Sequence, residues 1–112
     1  METRSRITRN YKTLDGREPF EEWLVSLRDK NAKAKVLQRI NRVRLGNFGD
    51  CKNLGDGMYE LRIHYGPGYR IYLGDLDGII VVLLCGGSKG TQKQDINRAR
   101  EYWQELKDRT YE

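Results

Sequence analysis

Residues 58–88, MYELRIHYGPGYRIYLGDLDGIIVVLLCGGS, decide the fold. Tyr59, Leu61, Ile63 and Tyr65 alternate with Glu60, Arg62 and His64, the period of two that a half-buried strand requires. Gly66-Pro67-Gly68 breaks the run as a turn, and residues 69–73 are expected to pair back on the first strand. Asp75-Leu76-Asp77-Gly78 makes the next turn. Residues 79–85 are continuously apolar, as a central strand covered on both faces must be. Two tight turns therefore predict a three-stranded antiparallel meander.

Working upstream, residues 46–57 (GNFGDCKNLGDG) are rich in Gly, Asp and Asn and read as a loop. Val36, Leu37, Ile40 and Val43 form the apolar stripe of a helix before it, with Asn31 as the expected N-cap and Gly46 placed to end it. Another helix opens at Pro19, whose fixed φ suits the first helical position. Its stripe is Phe20, Trp23, Leu24 and Leu27, and Glu21 and Glu22 favour its N-terminal dipole. The short break near Asp29 makes the two an antiparallel hairpin. Residues 4–12 read as a strand, ended by a turn at Leu14-Asp15-Gly16.

Downstream, Thr91-Gln92-Lys93-Gln94 fits a capping box, and Ile96, Ala99, Trp103 and Leu106 give the stripe of a C-terminal helix. The expected order is β-α-α-β-β-β-α. This is an α+β fold in which a helical hairpin and a C-terminal helix pack on a twisted antiparallel sheet. The 112 residues make one domain, 1–112.

A formal charge of +5, with a pI of about 9.3, points toward a polyanionic or acidic partner. Cys51 and Cys85 form no C-x-x-C pair and read as free thiols. With a single His there is no ligand cluster, so neither a metal site nor a cofactor is expected. The start METRSRITRN has no apolar leader, and the longest apolar run is too short for a bilayer. A soluble cytoplasmic protein without membrane contact is expected.

If Leu61, Ile63 and Ile71 face the helices, then Glu60, Arg62, His64, Arg70 and Tyr72 share the other face of the sheet. Arg62 and Arg70 lie on neighbouring strands, and Lys89 follows the last strand, so three cations meet on one face. Such a set suits a phosphodiester backbone. The alternative is a solvated face on which Arg62 pairs with Glu60. His64 is the one histidine, either a general acid–base or a plain surface residue. Lys33, Lys35, Arg39, Arg42 and Arg44 mark the second helix as a basic stripe for RNA or an acidic partner, with Lys93 a further basic residue, or else as a solvated face. No Walker loop, G-x-S-x-G elbow or H-E-x-x-H occurs, and Gly86-Gly87-Ser88-Lys89-Gly90 lacks P-loop spacing.

The segments GDGMYELRIHYGPGYRIYL (55–73) and IIVVLLCGGSKGTQKQDI (79–96), with PFEEWL and RINRVRLGNFGDCKNLGDG before them, resemble the RelE/HigB toxins of type II toxin–antitoxin systems. The likeness is greatest to their addiction-module killer branch. It implies metal-independent, ribosome-dependent cleavage of mRNA, and a cognate antitoxin, usually of helix-turn-helix type, encoded beside the toxin. It places Arg62, Arg70 and Lys89 at RNA-binding and transition-state positions, with His64 and Tyr72 as further acid–base candidates. Glu60 stands where RelE has a lysine. Asp95 falls near RelE's C-terminal tyrosine, for which Tyr102 and Tyr111 are distant substitutes. The ParE toxins, which inhibit DNA gyrase, share the fold, and a non-enzymatic binding module is the other alternative.

Overall fold

The meander begins one strand earlier than the sequence pattern indicates. In the computed structural model, which describes residues 4–110, β2 (Cys51–Gly55) pairs antiparallel with β3 (Met58–Ile63). Asp56 and Gly57 join them with φ of 56° and 81°, the left-handed pair of a two-residue hairpin turn. β2 lies at the sheet edge and is mostly exposed, so no alternating apolar signal marks it. Residues 51–55 are thus strand and not loop.

β3 pairs with β4 (Tyr69–Leu76), and β4 with β5 (Ile80–Ser88), both antiparallel. Asp77 and Gly78, with φ of 56° and 70°, begin the three-residue connection between Leu76 and Ile80, closed by the Ile79 N–H on Leu76 O at 3.0 Å. β1 (Ile7–Asn10) lies beside β5 and runs parallel to it, giving the order β1-β5-β4-β3-β2. The sheet is therefore mixed rather than wholly antiparallel, with β4 at its centre. Strand periodicity reports which face is buried; it does not report the direction of a partner distant in sequence.

α1 (Pro19–Ser26) and α2 (Lys30–Arg44) cover one face. Phe20, Val36 and Val43 pack there on Leu61, Ile63, Ile71, Leu73, Val81 and Leu83. Asp29, not Asn31, caps α2: its carboxylate accepts from the N–H groups of Asn31 at 2.9 Å and Ala32 at 3.2 Å. Gly46, at φ +94°, closes the helix as expected, its N–H reaching Val43 O.

α3 (Gln92–Thr110) covers part of the opposite face, where Met58, Tyr72, Val82, Leu84 and Cys85 meet Ala99 and Trp103. The sheet face expected to be open is therefore half roofed. Ser88 and Thr91 form the capping box, on a 3₁₀ turn over Lys89–Thr91, so the box lies one turn before the expected one. β5 carries a bulge: Tyr72 stands opposite Cys85 while Leu73 stands opposite Leu83. The extra residue shifts the alternation, so Leu84 and Cys85 both enter the α3 core. Both cysteines are free thiols. No helix among the described residues is long and apolar enough to cross a membrane.

Candidate functional site

Glu60 stands on β3 with Tyr72 as its cross-strand partner, and Arg62 likewise faces Arg70. The α3 roof leaves the Glu60 side chain fully buried. Oε1 accepts from Arg62 Nε and Arg70 Nη1, each at 3.1 Å. Oε2 accepts from Tyr72 Oη at 3.1 Å and from Gln92 Nε2, at the start of α3, at 2.9 Å. Four donors thus satisfy the two oxygens, as a buried carboxylate requires.

Burial opposes ionisation of Glu60. The hydrogen bonds from Gln92, Arg62 and Tyr72 and the charge of Arg70 outweigh it and hold the carboxyl below the usual glutamate range. Burial and the Glu60 charge push the Tyr72 phenol well above its ordinary value. Tyr72, with no solvent exposure, gives its hydroxyl to Glu60 beneath the cationic pair.

Two guanidinium groups share one carboxylate, so the cluster keeps a net positive charge. The Arg62 side chain is 34% exposed and that of Arg70 only 12%, so Arg62 is the one presented to solvent. Arg70 Nε is buried without a hydrogen-bond partner. The pairing of Arg62 with Glu60, which the sequence left open against an RNA-binding role, does occur; Glu60 is buried rather than exposed, so it orients the cations from below.

Beyond Arg62 the surface descends into a cleft of about 330 Å³, bounded by α2, the residue 49–50 loop and the end of β3. His64 Nε2 lies 2.6 Å from Asp50 Oδ2 at its rim, and both side chains are well exposed. The bond to His64 holds the Asp50 carboxyl below its usual range. Asp50 was not foreseen, because an aspartate in a Gly-rich segment reads as turn chemistry. Gln92 was missed for a similar reason: nothing in a helix's first turn signals that one side chain points inward.

The basic stripe of α2 divides. Lys35 and Arg42 are exposed and line the cleft. Lys33 is half-buried, and Arg44 donates to Asn41 Oδ1 at 2.7 Å. Arg39 is buried and belongs to the framework: Nη1 donates to Arg62 O at 2.6 Å, and Nη2 to Phe48 O and Asp50 O at 2.8 and 2.6 Å. It braces the loop against β3 and is not available to a ligand's surface.

Lys89 is exposed on the 3₁₀ turn, its N–H bonded to Gly68 O at 2.8 Å, so it stands at the mouth of the β3–β4 hairpin. Lys93 is exposed in the first turn of α3. Asp95 is buried and accepts from Thr91 Oγ1 at 2.5 Å, which ties the 3₁₀ turn to α3. Tyr102 stacks on Tyr11 with ring centroids 5.0 Å apart, and Tyr111 lies outside the described residues.

A family model described as "Phage derived protein Gp49-like (DUF891)" matches residues 22–104, a span that includes Arg39, Asp50, Glu60, Arg62, Arg70 and Gln92. The chain is also 52% identical over 87 residues to a protein of Haemophilus influenzae strain Rd described as an uncharacterized protein. That alignment covers 78% of this chain and 88% of the relative.

Proposed function

This chain belongs to the phage-derived Gp49-like family, and from that premise we propose that it is the toxin of a type II toxin–antitoxin pair. Its activity in this reading is cleavage of mRNA on translating ribosomes, in the cytoplasm, held in check by a cognate antitoxin. The observation that carries the reading is the cross-strand pair Arg62 and Arg70, both oriented by the buried Glu60 carboxylate. Guanidinium groups keep their charge at every working pH and match phosphate oxygens in geometry.

The reaction is an internal transesterification. The ribose 2′-oxygen attacks the adjacent phosphorus, its proton passes to a base, and the P–O5′ bond breaks as the leaving oxygen takes up a proton. The products are a 2′,3′-cyclic phosphate and a 5′-hydroxyl. Arg62, supported by Arg70, meets the charge that grows on the phosphate oxygens; a fixed donor at such a centre contributes about 3–4 kcal/mol. His64, held by Asp50 and otherwise exposed, takes the 2′-hydroxyl proton. Lys89 at the hairpin mouth binds RNA or returns a proton to the leaving oxygen. Glu60, Tyr72 and Gln92 keep the cations in place from beneath.

Two assays on the same preparation test this: transcript cleavage on translating ribosomes, and DNA supercoiling by gyrase. The expected result is cut transcripts, unaffected gyrase, and loss of growth arrest on induction of the Arg62→Ala, Arg70→Ala double variant. Gyrase inhibition with intact transcripts would overturn the nuclease reading in favour of ParE-like action. A fully toxic double variant would overturn the site.

A further inference from the structure

We propose that the cleft between α2 and the end of β3 is a second phosphate subsite, holding the RNA backbone phosphate next to the one at Arg62 and Arg70; this rests on RNA being the ligand. Charge is the first reason. Lys35, Arg39, Arg42 and Arg62 bound the cleft, and Asp50 is its one carboxylate among the described residues. Asp50 lies close enough to act on Arg39 and Arg62, but one carboxylate against four cations leaves the cleft with a net positive charge. Arg39 beneath gives its N–H groups to three main-chain carbonyls and to no carboxylate, which leaves a permanent positive charge buried at the floor. A cation set in low-dielectric walls focuses its field outward and raises the local concentration of anions.

Geometry is the second reason. Gly49, at φ +63°, lies directly on the Arg39 guanidinium; a Cβ there would come within 3.0 Å of Nη2. The loop therefore sits flat over the buried charge without a side chain between it and the cleft. The size, about 330 Å³, leaves room for a solvated phosphodiester. Arg62 is the wall shared with the Glu60 cluster: its side chain leans on Glu60 while Arg39 holds its carbonyl. A ligand in contact with both sites must carry anions in series along a strand. Single-stranded RNA does.

The test is a fluorescence-anisotropy titration of a short single-stranded RNA, 2′-O-methylated throughout so that no cleavage occurs, over a KCl series. Lys35→Ala with Arg42→Ala removes two exposed side chains and, with them, the contact of the Lys35 ammonium with the Tyr65 ring, 5.2 Å from its centroid, so a drop of no more than a few degrees in thermal midpoint is expected. One phosphate no longer neutralised makes the slope of log K against log salt shallower by about 0.7. That result supports the subsite; an unchanged slope overturns it. Unchanged RNA binding with weakened antitoxin binding also overturns it, and makes the cleft a protein surface. If the double variant shows the shallower slope but wild-type protein cuts no transcript on ribosomes, the subsite stands and the nuclease reading falls.

Discussion

Arg62 and Arg70 are cross-strand partners whose guanidinium groups donate to the same oxygen of Glu60, each at 3.1 Å. Like charges opposite one another in a sheet repel and destabilise it. The buried carboxylate between them turns that repulsion into orientation, and Tyr72 and Gln92 fill its other oxygen so that it cannot turn away. The cationic surface is thus a product of the α3 roof as much as of the strands.

Glu60 is the most informative position to change. Removing one partner of a buried ion pair costs about 3–5 kcal/mol, so Glu60→Ala should destabilise the protein on that scale. Glu60→Gln separates charge from shape. The folded-state pKa of Glu60 is lowered, so its contribution is complete above the usual glutamate range and is lost as pH falls through the folded value. Urea denaturation from neutral to acid pH should show the stability gap between wild type and Glu60→Gln closing as pH falls. A gap constant with pH would mean that Glu60 is not ionised in the folded protein.

The meander and both large helices are legible in the sequence because β3, α2 and α3 bury one face at a regular period and β5 is apolar along most of its length. β2 is not, since an exposed edge strand has nothing to alternate; Asp56-Gly57 is its trace. The Arg62–Arg70 pairing follows from strand register. Burial of Glu60, Tyr72 and Arg39 does not, because it depends on which side chains α3 and the residue 48–50 loop happen to cover. A charged residue in a strand or helix reads as solvated until its tertiary neighbour is known.

Arg39 should behave as a core residue despite its charge. Arg39→Met fills similar space but takes the side-chain donor from the carbonyls of Phe48 and Arg62, while Asp50 O keeps the Arg62 N–H at 3.1 Å. An unsatisfied buried group costs about 1–3 kcal/mol, so a loss of about 3 kcal/mol is expected in chemical denaturation. Arg39→Lys should recover only part of it, because an ammonium cannot span three acceptors in that fork.

Gly74 permits α3 to dock. A Cβ there would enter the Trp103 ring, whose Nε1 donates to Asp56 O at 2.7 Å. Gly74→Ala should cost about 1–3 kcal/mol by overpacking. It should also change the near-ultraviolet dichroism of Trp103 and loosen the β2–β3 turn, and wild-type spectra would show that the helix has room to spare.

Cys85 is buried, and desolvation pushes its thiol up to about 12. At pH 8 only about one molecule in 10⁴ carries the thiolate, so alkylation of the folded protein should leave Cys85 unmodified. Intact-mass analysis followed by peptide mapping reads this directly. Labelling at Cys85 under native conditions would indicate that β5 opens.

His64 and Asp50 separate function from stability. Both side chains are well exposed, so their pairing adds little to the fold, and His64→Ala and Asp50→Asn should unfold at the wild-type temperature. His64→Ala should let the Asp50 carboxyl return upward toward its ordinary range, which carbon-detected NMR titration follows. Catalysis should respond quite differently. A positioned base contributes about 10²–10⁴-fold, so transcript cleavage by His64→Ala should fall by that order. Asp50→Asn, which keeps the shape but not the charge that holds the ring, should lose less. Cleavage by His64→Ala at the wild-type rate would place the base elsewhere, with Lys89 the next residue to change.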